Sequence, residues 1–197
     1  MKIFIDGEPF NPSSPDVSRS QLLAEIDKEI IGKGHTYTTI TVDGVEMDSS
    51  AFVLLRKGRE AHFKTRQTKL LVIESLQEAV SYIPRLIDGT LNIALDLERN
   101  KHDNIHEQIA CFAEGLGWLV NVMQKSQLLL RVIDSELPDK EEVLTKLKKS
   151  LENIFECCEK HRIMEIAFHM RQGILPEISR ISGYIDKLLE AAKQRKQ

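Results

Sequence analysis

Two apolar ladders that alternate steps of three and four residues constrain this chain more than any other feature. The first is Ile73, Leu76, Val80, Ile83, Ile87, Thr90, Ala94 and Leu97, and the second is Ile105, Ile109, Phe112, Leu116, Leu119, Met123, Ser126, Leu130 and Ile133. Such spacing keeps a set of side chains on one stripe of an α-helix, so each ladder predicts a long helix with a seam facing a partner. A single seam does not offset the entropy of ordering so long a helix. Each ladder therefore needs neighbours.

Two further seams supply them. Leu144, Leu147, Leu151, Ile154 and Cys158 mark a third helix, and Ile163, Ile166, Met170, Ile174, Ile178, Ile181, Ile185 and Leu188 a fourth. The first two helices are expected at about 68–98 and 104–134; Asn104 with Glu107, and Asp139 with Glu142, read as capping pairs. Pro84 is expected to kink the first helix without ending it, because the ladder holds phase across it, and Asp88-Gly89 is where a break would be easiest. Steps of four around Pro176 shift the fourth stripe, which predicts a bend there. Short connections make consecutive helices antiparallel. Residues 67–197 thus read as an antiparallel bundle of about four long helices, and a homodimer is one further way to cover its seams.

Residues 1–66 follow a different pattern. Ile3-Phe4-Ile5-Asp6-Gly7 and Ile40-Thr41-Val42-Asp43-Gly44 are imperfect copies of one motif, and Asp-Gly between extended segments is the strongest short hairpin signal. In the second copy Ile40 and Val42 would face Met47 and Val45 across the turn. Between the hairpins Leu22, Leu23, Ile26 and Ile30 recur at helical spacing, with Ser18 or Ser20 as the cap and Gly32 and Gly34 as the stop. Ala51 to Leu55 fits strand and helix equally, and Ala61, Phe63 and Thr65 alternate as one more strand. The fold class is α+β, mainly α: a small hairpin-helix-hairpin head, in an order that also occurs in ubiquitin-like β-grasp folds, then the bundle.

Composition narrows the function classes. Of the residues, 42% are hydrophobic and 29% charged, as in a folded globular protein. A net charge of −3, with basic residues spread along the helices, argues against a nucleic-acid partner. No apolar run is long enough to cross a bilayer and the start, Met1-Lys2-Ile3-Phe4-Ile5-Asp6, turns acidic too early for a signal peptide. A cytoplasmic protein without a membrane partner is expected. Cys111, Cys157 and Cys158 lie inside helical patterns and read as buried thiols.

Few constellations carry chemistry. His102 and His106 beside Glu107, and Cys157 and Cys158 beside His161, have metal-ligating side chains, but neither group has the spacing of a zinc site, and no metal or cofactor is expected. No Glu-x-x-His pair of a di-iron bundle, P-loop or nucleophile elbow occurs. His169-Met170-Arg171-Gln172-Gly173 is similar to the His-x-x-Lys-Gly segment of histidine phosphotransfer bundles, which would make His169 a phosphoacceptor, although Gln172 replaces the charge-balancing lysine. Glycine twice within a helix, at Gly115 and Gly117 beside Trp118, marks either tight helix packing or a small-molecule or interface site.

Ile40-Thr41-Val42-Asp43-Gly44, Tyr82-Ile83-Pro84, Gly115-Leu116-Gly117-Trp118 and Ile174-Leu175-Pro176 together resemble an uncharacterised bacterial family with a β-rich head and a helical tail. The resemblance implies no activity. Long seams without a convergent polar site point instead to a non-enzymatic protein-protein interaction module: an adaptor, assembly factor or chaperone, similar in class to helical flagellar export chaperones. A signalling bundle centred on His169, or a helical small-molecule binder near Trp118, is the alternative.

Overall fold

A computed structural model describes residues 1–14, 17–101 and 104–194. The chain divides into two compact units, one of Met1–Leu71 and a second that begins at Val72. The fold is α+β and mainly helical. No helix among the described residues is long and apolar enough to cross a membrane.

The first unit is a five-stranded sheet with helices on one face. Its strands are β1 (Lys2–Ile5), β2 (Glu8–Phe10), β3 (His35–Val42), β4 (Val45–Met47) and β5 (Glu60–Gln67), ordered β2-β1-β5-β3-β4. β1 runs parallel to β5 and the other neighbours are antiparallel, which is the β-grasp arrangement. Both Asp-Gly turns form, with φ of 51° and 87° at Asp6 and Gly7 and 48° and 83° at Asp43 and Gly44, as a type I′ turn requires. The second hairpin pairs Ile40 with Met47 and Val42 with Val45. Helix α1 (Arg19–Gly32) starts at a Ser18–Gln21 capping box and buries Leu22, Ile26 and Ile30 on the sheet. The ambiguous segment becomes α2 (Ser49–Leu54), started by the Asp48 carboxylate, which accepts from the Ala51 N–H at 2.7 Å. Its Phe52 ring meets Phe63 edge-on, 5.4 Å between centroids.

The aspartates of the two turns also clasp both ends of β5. Asp6 accepts from the Thr65 N–H at 2.7 Å and from the Thr65 hydroxyl at 2.5 Å, and Asp43 accepts from the Arg59 and Glu60 N–H groups at 3.0 Å each. The Thr65 hydroxyl bond holds the Asp6 carboxyl below the usual range, and the Glu60 and Arg59 amides do the same for Asp43. A lowered folded pKa means stability that is complete above the unfolded value, near 4, and lost as pH falls through the folded one. Asp27, pushed up by burial, acts with the opposite sign. Wild-type protein is therefore expected to lose more thermal stability between neutral pH and pH about 3 than an Asp6→Asn/Asp43→Asn variant. Equal losses in melts followed by circular dichroism would refute the clasps.

The second unit contains most of α3 (Thr68–Glu98), then α4 (Ile105–Leu129), α5 (Lys140–Glu159) and one continuous rod. That rod is α6 (Ile163–Phe168), a π-helical segment (His169–Ile174) and α7 (Leu175–Gln194). Their seams close on a single core. On α3, Leu76, Ile83, Thr90, Ala94 and Leu97 are buried as the ladder requires, but Ile73 and Ile87 are half-buried and Val80 lies at the exposed edge. Their places are taken by Val72, Ala79, Leu86 and Ile93, each one residue earlier or, for Ile93, alongside Ala94. Thr90 is satisfied within its own helix, donating to the Leu86 carbonyl at 2.7 Å. Helix α3 runs unbroken through Pro84 and through Asp88-Gly89.

Three expectations fail at helix ends. Helix α4 stops at Leu129, so Ile133 is not on its seam and is 63% exposed. The stop is a Schellman motif: Arg131, at φ 48°, sends its N–H to the Leu128 carbonyl, and Val132 sends its own to Gln127. Asn104 and Asp139 do stand at the N-cap positions of α4 and α5. Neither makes a side-chain capping bond, because each adopts left-handed φ, 60° and 61°, instead of the extended backbone that aims a capping oxygen at the first turn. The α4–α5 connection is fixed instead by a polar cluster, in which Lys140 Nζ donates to Asp134 at 2.7 Å and to Gln127 Oε1 at 2.9 Å.

Where the sequence predicts a bend in the fourth helix, the chain forms the π-helical segment. Steps of four from Ile166 through Met170 and Ile174 to Ile178 would drift around an α-helix at 3.6 residues per turn. A wider turn keeps all four buried. It also lies just before Pro176, whose ring in regular α-helix would collide with the carbonyl four residues earlier.

Candidate functional site

Tyr82 of α3 lies across Gly115 and Trp118 of α4. A Cβ at Gly115 would lie 2.0 Å from the Tyr82 hydroxyl oxygen, so this glycine is the space into which the tyrosine fits. The Trp118 indole stands edge-on to the Tyr82 ring, centroids 5.3 Å apart at 86°. On Tyr82 sits the Arg85 guanidinium, 5.4 Å from the ring centroid. Trp118 and Tyr82 are half-buried and Arg85 is exposed. Gly117 differs from Gly115: it is exposed, and a Cβ there would meet no atom within 4 Å.

These five residues carry no carboxylate, imidazole or thiol. The arrangement is an aromatic pair with an apolar body and polar tips, topped by a cation. Tyr82 and Arg85 were absent from the sequence-derived site. Their three-residue spacing put them on one helix face, but nothing in the sequence tied that face to Trp118.

His169 is the first residue of the π segment, half-buried, with the Phe168 ring 5.6 Å away at 74°. Gly173 lies one turn further on. It leaves room for α5, since a Cβ there would be 2.5 Å from Ser150 Oγ. Arg171, on the same segment, holds Glu98 through bonds of 2.8 and 3.1 Å, which keeps the Glu98 carboxyl below its usual range.

His106, Glu107, Cys158 and His161, from groups considered separately in the sequence, line one cavity of about 400 Å³ beside the start of α4. His102 lies outside the described residues. Among the described residues, no three His, Cys, Asp or Glu side chains are placed to hold one metal ion. Burial pushes both Cys157 and Cys158 upward, so the thiols stay protonated, and Cys157 donates to Glu165 at 3.7 Å. Cys111, by contrast with the buried pair, is exposed.

His161 has a backbone role. At φ 53° it ends α5 in a second Schellman motif, its N–H on the Cys158 carbonyl and that of Arg162 on Cys157. A non-glycine residue pays for left-handed φ, so His161→Gly is expected to stabilise the protein by about 1 kcal/mol. A fall in melting temperature would show that the imidazole contributes more than its backbone costs.

A search of curated proteins and of solved structures finds no match to this chain. A family model described as a domain of unknown function, DUF8042, matches residues 74–194. That span covers more than half of the sequence, including the aromatic pair, the π segment and every helix from α4 onward. The chain belongs to the DUF8042 family.

Proposed function

We propose that the protein is an interaction module which binds another protein through the α3–α4 face around Trp118. The observation that carries this reading is the clustering of Trp118, Tyr82 and Arg85. Tryptophan, tyrosine and arginine dominate binding hot spots: the two aromatics bury a large area at little entropic cost, and arginine brings a planar set of donors that stacks on them. Exposed Leu128 and Leu129 further along α4 add apolar area to the same helix.

Trp118 is the only tryptophan, so its emission reports on this face alone. Wild-type and Trp118→Ala proteins are to be compared as baits in extracts of the native cell. A partner retained by the wild type, lost with Trp118→Ala, and able once purified to shift the wild-type emission supports the reading. Identical captures from both baits, or a purified partner that leaves the emission unchanged, would overturn it.

A further inference from the structure

The sequence Leu128-Leu129-Leu130-Arg131-Val132-Ile133 is apolar at every position but one, yet the core takes only part of it. Leu130 and Val132 are buried there, whereas Leu128, Leu129 and Ile133 are 77%, 53% and 63% exposed. The Schellman turn keeps these three together. It folds the chain back on the last turn of α4, with the Val132 N–H on the Gln127 carbonyl and the Gln127 side-chain amide donating to the Val132 carbonyl at 3.2 Å. Ile133 is thereby held beside the helix end that carries the two leucines.

Opposite charges frame this apolar centre. Lys125 stands one turn before Leu128 and Leu129, at the spacings of three and four that share a helix face. Glu136 follows Ile133 by three residues in a 3-10 turn, where side chains three apart lie one above the other, and its N–H donates to the Ile133 carbonyl at 3.0 Å. Lys125 and Glu136 are both exposed, and neither side chain has a partner among the described residues. The other charges nearby are engaged: Lys140 holds Asp134 at 2.7 Å, and Arg131 has a partner of its own.

The order along this surface is cation, apolar centre, anion. A second copy related by a two-fold axis through the centre sets apolar side chains on apolar side chains and brings Lys125 of each copy to Glu136 of the other, so the surface is complementary to itself. The area suits a small dimer. The three side chains expose roughly 400 Å², against the roughly 500 Å² of apolar surface within the roughly 800 Å² that each partner of a standard interface buries. An anionic lipid surface would instead be repelled by Glu136 at the rim. We propose that the chain forms a two-fold dimer through the end of α4, with Leu128, Leu129 and Ile133 at its centre and Lys125–Glu136 pairs at both edges. The inference does not rest on the Trp118 reading, since Leu128 lies roughly 15 Å further along the helix.

The test is sedimentation velocity of the full chain at loading concentrations from about 1 to about 200 µM, the range in which so small an interface dissociates. A monomer–dimer equilibrium is expected. Leu128→Gln/Leu129→Gln should weaken it at least about tenfold, as loss of a buried apolar centre does. Lys125→Glu and Glu136→Lys should each weaken it too, because like charges then meet at both edges, whereas an equimolar mixture of these two variants should associate at least as tightly as the wild type. Trp118→Ala should leave the equilibrium unchanged, which separates a failure here from a failure of the Trp118 reading. The four interface positions substituted are exposed, and circular dichroism melts show that each variant is folded. A monomer at every concentration would overturn the proposal, and co-sedimentation of that monomer with phosphatidylcholine vesicles would assign the leucines to a lipid surface. A dimer that survives the leucine substitutions undiminished, or a mixture no tighter than either charge variant alone, would also overturn it.

Discussion

Gly115→Ala is expected to lower stability by about 1–3 kcal/mol, as overpacking does, while Gly117→Ala, two residues on, should raise it by up to about 1 kcal/mol. Both changes remove a helix-weakening glycine, so propensity alone predicts the same sign for each. Packing separates them. The new methyl at Gly115 would sit 2.0 Å from the Tyr82 hydroxyl oxygen, whereas at Gly117 it would meet nothing within 4 Å. The Tyr82 ring stands edge-on against Trp118, on the same helix as Gly115, which limits its retreat on that side. Tyr82→Phe should rescue most of the loss, because deleting the oxygen leaves Cζ as the nearest atom, at 3.1 Å. Thermal melts of the two single variants and of the double variant decide the matter. Shifts of the same sign at both glycines, or no rescue by Tyr82→Phe, would mean that Tyr82 does not occupy the Gly115 notch.

The same contrast shows how far the sequence could be read. Glycine beside tryptophan marked a close approach, and Gly115 makes one; the approaching group, Tyr82, comes from a helix that periodicity treats separately. On α3 the pattern held two answers of equal quality. Val72 and Ile73, Ala79 and Val80, Leu86 and Ile87, and Ile93 and Ala94 are adjacent apolar pairs, so a seven-residue repeat fits either member. Neighbours on two flanks widen the buried stripe, and only their positions decide which member goes deeper.

Helix ends were hidden for a different reason. Asn100, Arg131 and His161 all take left-handed φ just past a helix, where glycine is the usual signal, and none of them is glycine. Without that signal the Leu130–Ile133 step looked like continuation, and the backbone role of His161 went unseen. The Asp-Gly turns were legible because one dipeptide meets two conformational demands at once. What the sequence did not show is that the same two aspartates reach across to β5, since a bond from Asp6 to Thr65 spans 59 positions.

Gly173→Ala should be about as costly as Gly115→Ala, on the order of 1–3 kcal/mol, and it probes the π segment directly. A Cβ at Gly173 would lie 2.5 Å from Ser150 Oγ and 3.0 Å from Ser150 Cβ. The hydroxyl can rotate away, but the Cβ is fixed to the backbone of α5. Ser150→Ala should therefore rescue only part of the loss and Ser150→Gly more of it, even though the second change weakens α5 by about 1 kcal/mol on its own. Gly183→Ala is the control: it lies in α7, is exposed, meets nothing within 4 Å, and should stabilise. If Gly173→Ala were harmless, the wide turn would have room to relax away from α5, and the burial of Met170 and Ile174 would not depend on that contact. A large loss repaired by Ser150→Gly would instead tie the π segment to α5 at one point of closest approach. The phase of Ile166, Met170, Ile174 and Ile178 would then be set by this crossing as much as by Pro176.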